Sequence, residues 1–446
     1  MAAAWRTGPL AVRGFRLLAG GQFTSTIGDY CYAVALPWLV LSTHGGTILL
    51  GTVLACYGVP RTVLIPLGGV LADKIGPRSV MLLADTVRCA LVAVLAVLAA
   101  GHIASLAALG PIAALIGAGE GLFLPASYAI MPSLLNEERL AAGNAISTAA
   151  VQAGSLLGPA LGGALVAVTG SSTGAFGIDA GSFAASALTL ALIPRRAASG
   201  SVAAAPAGAL GEAGEAEAEN GTANGAGGSA GGGVLALLRE SRALQVLLVI
   251  AIVANLAGGG MGDVALPALA HARFGAAGYG ALLACLAAGG VIGTLGAART
   301  GGLHAPTMFA VPFFLLFALA IGLVPYVGED GAAAALLVAG ACNGLGNVTL
   351  LTVLQKWASP ALLGRLMGAV MLCAFGSFPL SVAVSGVLVK HLGPTVFFPI
   401  AGGLVAITML GGLTQRDFRV FGVRERPGDL AGIAEQPGEP SGRTAG

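Results

Sequence analysis

Five ionisable side chains interrupt long apolar runs in the first half of the chain: Asp29, Arg61, Asp85, Arg88 and Glu120. A charge at the centre of a bilayer costs at least about 2.5–3.5 kcal/mol, so five unpaired ones would cost roughly 12–18 kcal/mol, more than the net stability of a typical domain. They must pair, face water or become neutral. Asp85 and Arg88 stand i, i+3 and can pair along one helix. Arg61 and Glu120 lie at similar depth in their runs and can pair across helices. Asp29 is left over. A partnerless carboxylate at low dielectric favours its neutral form, so it can take up and release a proton. Asp29 is therefore the first candidate for proton coupling. Glu120 is the second, because Arg61 would hold it ionised. Asp179 and Asp263 fall nearer the ends of their runs, where hydration is expected.

Gln22, Ser25, Thr26 and Asp29 share one helical face, at i, i+3, i+4 and i+7. Gly340, Asn343, Gly344 and Asn347 repeat the pattern late in the chain. Polar stripes avoid lipid, so both are expected to face a central cavity, with hydrogen bonding between packed helices as the alternative. Tyr32, Tyr57, Phe123 and Phe375 could offer aromatic surface to an apolar ligand; isolated aromatics also serve plain packing. No phosphate-binding glycine loop, HExxH zinc pair or GxSxG elbow with a plausible partner set occurs. An enzyme, ATP-driven transport, a metal and a cofactor thus lack support.

The elements that must position these residues follow from composition. Of 446 residues, 56% are hydrophobic and 9% charged, against about 25% charged in soluble domains. Mean hydropathy is +0.88. Such a chain cannot clothe a water-soluble globule, and a net charge of +2 gives no field for nucleic acid. A spanning helix needs about 20 apolar residues. Apolar runs recur at 15–41, 47–71, 80–100, 103–128, 143–168 and 174–194, then at 243–269, 277–298, 306–327, 332–356, 362–389 and 395–414. The expected fold is an all-α membrane protein of twelve transmembrane helices in two pseudo-symmetric six-helix bundles. The bundles are placed at 1–196 and 234–415. Residues 197–233, rich in Ala, Gly and Ser, read as a flexible linker, and 416–446 as a tail.

Eighteen of the 22 Lys and Arg fall on one side of this topology; Arg273 and Lys390 fall on the other, and Arg61 and Arg88 lie within spans. The bias puts both termini, the linker and the tail in the cytoplasm of a plasma-membrane protein. Trp38 and Trp357 are expected at the lipid interface. The six cysteines sit singly in apolar runs and read as packing residues. Arg6, Arg13 and Arg16 precede a long first run without a small-residue cleavage site, which reads as an uncleaved first helix.

The halves carry short internal matches. Gly28-Asp29 and Ala35-Leu36-Pro37 return as Gly262-Asp263 and Ala265-Leu266-Pro267, and Gly117–Leu122 returns as Gly340–Leu345. The offsets are 230 and 223 residues. Duplication of this kind marks alternating-access transporters, whose substrates bind between repeats at the midplane.

After the second run stands Gly69-Val70-Leu71-Ala72-Asp73-Lys74-Ile75-Gly76-Pro77-Arg78. Gly69, Asp73, Lys74, Gly76 and Arg78 match GxxxD(R/K)xGxR, and the segment resembles the loop between helices 2 and 3 of the major facilitator superfamily. Its glycines permit a tight turn, and Asp73 can cap a helix and pair with a cation, latching the halves. The second-half counterpart, Gly296–Gly301, lacks the acid. Gly154, Gly158, Pro159, Gly162 and Gly163 resemble the GxxxGPxxGG motif of that superfamily's exporters; a generic small-residue packing face is the alternative. Phe15-Arg16-Leu17-Leu18, Gln22, Gly28-Asp29, Ala35-Leu36-Pro37, Asp85, Arg88 and Glu120 followed by Pro125-Ala126 resemble the macrolide-efflux and siderophore-exporter branch of drug–proton antiporters. Many of those carry an arginine in helix 4, where this chain has only Glu120. The resemblance implies a secondary active transporter moving hydrophobic small molecules outward against protons, by alternating access through the lipid bilayer. A proton-coupled importer on the same fold and a non-transporting membrane sensor are the alternatives.

Overall fold

The structure, a computed structural model, describes residues 8–194, 242–297, 306–357 and 360–415. The expected linker at 197–233, the tail at 416–446 and most of the Gly296–Gly301 loop lie outside the described residues, as does the side chain of Trp357.

Among the described residues, twelve long helices follow one another: α1 Arg13–Ser42, α2 Gly46–Ile75, α3 Pro77–Ala100, α4 Leu106–Ala129, α5 Glu137–Thr169, α6 Thr173–Leu192, α7 from Arg242 to Arg273, α8 Gly275–Ala297, α9 Pro306–Leu323, α10 Glu329–Trp357, α11 Pro360–Leu392 and α12 Pro394–Thr414. Ten helices among the described residues are long and apolar enough to cross a membrane on those grounds alone. The chain is thus a multi-pass membrane protein. Several helices outrun their apolar cores: α5 and α11 have 33 residues each, against the roughly 20 that cross the hydrocarbon. Gly76 (φ 84°) and Gly393 (φ 80°) take a backbone conformation that favours glycine, and Pro77 and Pro394 start the next helix, where a missing N–H costs nothing.

The two halves repeat one packing scheme. In the first, α1 packs on α5 and α6, α2 on α4, and α3 on α4 and α6. In the second, α7 packs on α11 and α12, α8 on α10, and α9 on α10 and α12. The short glycine match found in the sequence has a geometric cause. A Cβ on Gly117 or Gly121 of α4 would collide with the carbonyls of Tyr57 and Arg61 on α2. A Cβ on Gly340 or Gly344 of α10 would collide with those of Leu286 and Gly290 on α8. Glycine at i and i+4 lets two backbones touch, and the same contact is made twice.

The halves meet through α2 with α11 and α5 with α8. Gly51 faces Gly386 across the first pair, and Gly163 faces Gly280 across the second. Thr47 Oγ1 donates to the Gly386 carbonyl at 2.9 Å. These contacts form a seal at the end opposite Lys74 and Arg78. Trp38 takes part as well: its ring lies 4.9 Å from that of His271 on α7, across the two halves.

Candidate functional site

Two sites emerge, a charge network inside the first half and a cavity between the halves. In the network, Arg61 on α2 reaches Glu120 on α4, with Nη2 2.9 Å from Oε1. The Gly117/Gly121 contact brings the two backbones close enough for this. Tyr57, one turn before Arg61, donates its hydroxyl to the other carboxylate oxygen of Glu120. The guanidinium also lies 4.9 Å from the ring of Phe375 on α11, so one cation joins an acid of its own half to an aromatic ring of the other.

The second pair is local and dry. Arg88 Nη2 lies 2.6 Å from Asp85 Oδ1, with the side chains 3% and 0% exposed. Ser186 on α6 donates to Asp85 Oδ2 at 2.6 Å. The Arg88 guanidinium lies over the rings of Phe123 and Phe183, at 4.6 and 4.4 Å from their centroids. Gly119 lies against the aliphatic stem of Arg88.

Asp29 is different. The charges of Arg88, Glu120, Asp85 and Arg61 act on it, but its side chain is exposed and is not among the residues lining the cavity between the halves. It has no hydrogen-bond or ion-pair partner among the described residues. Gly28 beside it packs on Ser182 and Asp179 of α6. Asp179, expected to be hydrated, is instead 1% exposed, because α6 turns it inward onto this contact with α1.

The loop after α2 departs from expectation at Asp73. Gly76 caps α3 without a side-chain bond, and Asp73 and Lys74 are exposed without partners among the described residues. Arg78 holds the loop instead. Its Nε and Nη2 donate to the carbonyls of Leu190 and Ala191 at 2.8 and 2.7 Å, a cation at the C-terminus of α6. The exporter-like glycines serve close approach: Gly154, Gly158 and Gly162 lie against Thr26, Tyr30 and Cys31 of α1, while Gly163, four residues past Pro159, meets α8 of the other half.

The cavity has a volume of about 740 Å³ and is walled mostly by α7, α8 and α10, with Tyr30 and Ala33 of α1 and Gln152, Ser155 and Pro159 of α5 opposite. It starts beneath the seal at Tyr279, whose hydroxyl approaches the Ala33 carbonyl at 3.5 Å, and runs past Asn255 to Leu244, Leu354 and Val370 toward the basic end. Asn343 and Asn347 line it, and Asn347 Nδ2 donates to Asn343 Oδ1 at 2.8 Å. Gln22, Thr26, Tyr32 and Phe123 are not among its lining residues. Thr26 donates to the Gln22 carbonyl and packs on Gly154, Tyr32 meets the Phe176 ring edge-on at 5.8 Å, and Phe123 covers Arg88. Gln22 Oε1 and the Tyr32 hydroxyl are buried without partners among the described residues.

Asp263 was missed as a site residue. It lines the cavity from a π-helical turn, Met261–Ala265, inside α7. The repeat pairing it with Asp29 was the signal available in the sequence.

Comparison with known proteins agrees with this architecture. The profile of the Major Facilitator Superfamily matches residues 18–375. An uncharacterized MFS-type transporter of Bacillus subtilis, YfiS, is 28% identical over 42% of this chain and 43% of its own length. The multidrug efflux pump Tap of Mycolicibacterium fortuitum is 29% identical over 42% of this chain and 46% of its own. The matches thus span less than half the length of these curated relatives. Among solved structures, a POT family transporter in complex with a thioalcohol-conjugated peptide superposes with a TM-score of 0.67, at 17% identity, over 90% of this chain and 96% of that one. With a family match over most of its length and that family's helical architecture, the chain belongs to the Major Facilitator Superfamily, a class of transporters rather than enzymes.

Proposed function

We propose that the protein is a secondary active transporter that exports hydrophobic small molecules across the plasma membrane in exchange for protons. The observation that carries this reading is the cavity between two pseudo-symmetric halves, sealed at one end by the Gly51–Gly386 and Gly163–Gly280 contacts. Alternating access needs two such arrangements, with the seal moving from one end to the other. The mainly apolar wall suits a hydrophobic substrate, and the similarity to a multidrug efflux pump supports the outward direction. The basic end is taken to face the cytoplasm, as Lys and Arg bias requires. Asp73 and Lys74 would then engage the second half only when that end closes.

Asp29 is the proposed proton carrier, because it alone of the deep acids in the first-half network lacks a cation or hydroxyl partner. Glu120 is the runner-up, held by Arg61 and Tyr57. A proton bound from outside leaves Asp29 neutral and eases the return of the empty transporter. Moving one charge across 100 mV is worth about 2.3 kcal/mol, enough for a roughly fifty-fold gradient.

The test begins with a susceptibility panel in a strain lacking its own efflux pumps, to find a transported compound. Proteoliposomes then carry that compound under an imposed pH gradient. Asp29→Asn is expected to abolish uphill transport while sparing passive counter-flow. Uphill transport surviving in Asp29→Asn but lost in Glu120→Gln reverses the assignment, and survival in both removes the carboxylate mechanism. Accumulation in the direction of proton flow makes the protein an importer, and absence of counter-flow in wild type removes transport altogether.

A further inference from the structure

The cavity wall is not electrically neutral, and the charge it carries narrows the ligand. Among its described lining residues, Asp263 is the one acid, and no lysine, arginine or histidine accompanies it. Asp263 has no hydrogen-bond or ion-pair partner among the described residues. Among the described residues, Arg61 is the cation whose charge acts on its carboxylate, and Arg61 is already engaged by Glu120 at 2.9 Å.

Its position continues the cavity face of α7. That face runs at ordinary helical spacing through Ala251, Asn255, Gly259 and Asp263, with Gly258 and Gly262 beside it. The π-helical turn Met261–Ala265 carries its last residues. Gly258, Gly259 and Gly262 leave the approach to the carboxylate clear, since each lines the cavity without a side chain. Tyr30 and Tyr279 add aromatic surface near the sealed end, and Asn255 spends its amide N–H on Ala251 of its own helix, leaving its Oδ1 as a further acceptor. Acceptors, aromatic faces and one bare carboxylate in an apolar wall form a receptor for an organic cation.

We propose that Asp263 anchors the positive centre of a lipophilic monocation, with the apolar walls of α8 and α10 taking its hydrophobic body. This deepens the proposed transport function and rests on it for biological meaning, but the binding claim is testable alone. Tetraphenylphosphonium and tetraphenylborate provide the probe, because they share size and apolar surface and differ in the sign of one charge. Binding of each to the purified full-length protein in detergent is measured by calorimetry. The wild type should bind the phosphonium at least tenfold more tightly than the borate. Asp263→Asn should weaken phosphonium binding at least tenfold and strengthen borate binding, a gain that a misfolded protein cannot show. Asp263→Glu should restore the preference for the cation.

Equal binding of the two ions by wild type, binding of neither, or a charge preference unaltered in Asp263→Asn overturns the proposal. Loss of counter-flow with the Asp263-dependent preference intact would instead remove the transport reading and leave the cation site standing.

Discussion

At the residue scale, the two ion pairs of the first half are built for different tasks. Asp85–Arg88 is fully desolvated, with a serine on the free carboxylate oxygen and two phenylalanine rings against the guanidinium. Removing one partner of a buried pair leaves an uncompensated charge and costs about 3–5 kcal/mol. Asp85→Asn should therefore lower the melting temperature of the purified protein sharply, and Ser186→Ala mildly, at about 1 kcal/mol. Replacing both partners, as in Asp85→Leu with Arg88→Leu, should recover most of the loss. If the double variant is no more stable than Asp85→Asn, the pair holds the bundle by something other than mutual charge. Arg61–Glu120 is partly exposed, at 20% and 26%, and reaches across the halves to Phe375. Phe375→Leu should leave stability nearly unchanged and alter the rate of transport, as read in single-turnover efflux.

The element scale shows how far apolar patterning reaches. Run lengths located all twelve helices, and the local spacing of Asp85 and Arg88 announced their pair. Matching depth did the same for Arg61 and Glu120. Rotation about the helix axis was harder to read. The polar stripe of α1 pointed to the cavity, yet Tyr30 and Ala33 line it instead, while Thr26 packs on Gly154 and Tyr32 on Phe176 within the first half. Asp263 was hidden by its place near the end of an apolar run, where hydration is the plain expectation, although ordinary helical spacing from Asn255 and Gly259 brings it to the cavity. Asp179 was hidden by tertiary packing, since only the Gly28 contact turns it inward. The i, i+4 glycine spacings of α4, α5 and α10, by contrast, carried geometric content. A side chain on Gly280 would meet the Pro159 carbonyl of the other half. Gly280→Leu should weaken the seal by a kilocalorie or more, enough to shift its equilibrium about fivefold. A cysteine at the cavity residue Ala33 should then react several-fold faster with an impermeant maleimide applied from the sealed side. Unchanged reactivity would show that the α5–α8 contact does not control access.

At the scale of the whole molecule, the described conformation is closed at one end and extends a cavity toward the other. Asp73 has no partner among the described residues in this form. Its charge should matter to the conformation in which the basic end closes, so Asp73→Asn should slow transport at equal expression without loss of folded protein. Wild-type rates in that variant would remove the latch role. Orientation is checked by a cysteine at Gly221, in the expected linker outside the described residues: it should resist impermeant thiol reagents in intact cells and react after permeabilisation. Labelling in intact cells would invert the topology.

The cavity also has a hydration number. A space of about 740 Å³ holds on the order of 25 water molecules at ~30 Å³ each. If the molecule must pass through a form closed at both ends, that water has to leave on every cycle without substrate. Turnover is then partly a dehydration reaction. An excluded solute such as sucrose, present equally on both sides, lowers the activity of water and should speed the return of the empty protein. The slope of log rate against osmolality would count the waters released. A slope near zero would mean that the two ends exchange while the cavity stays wet.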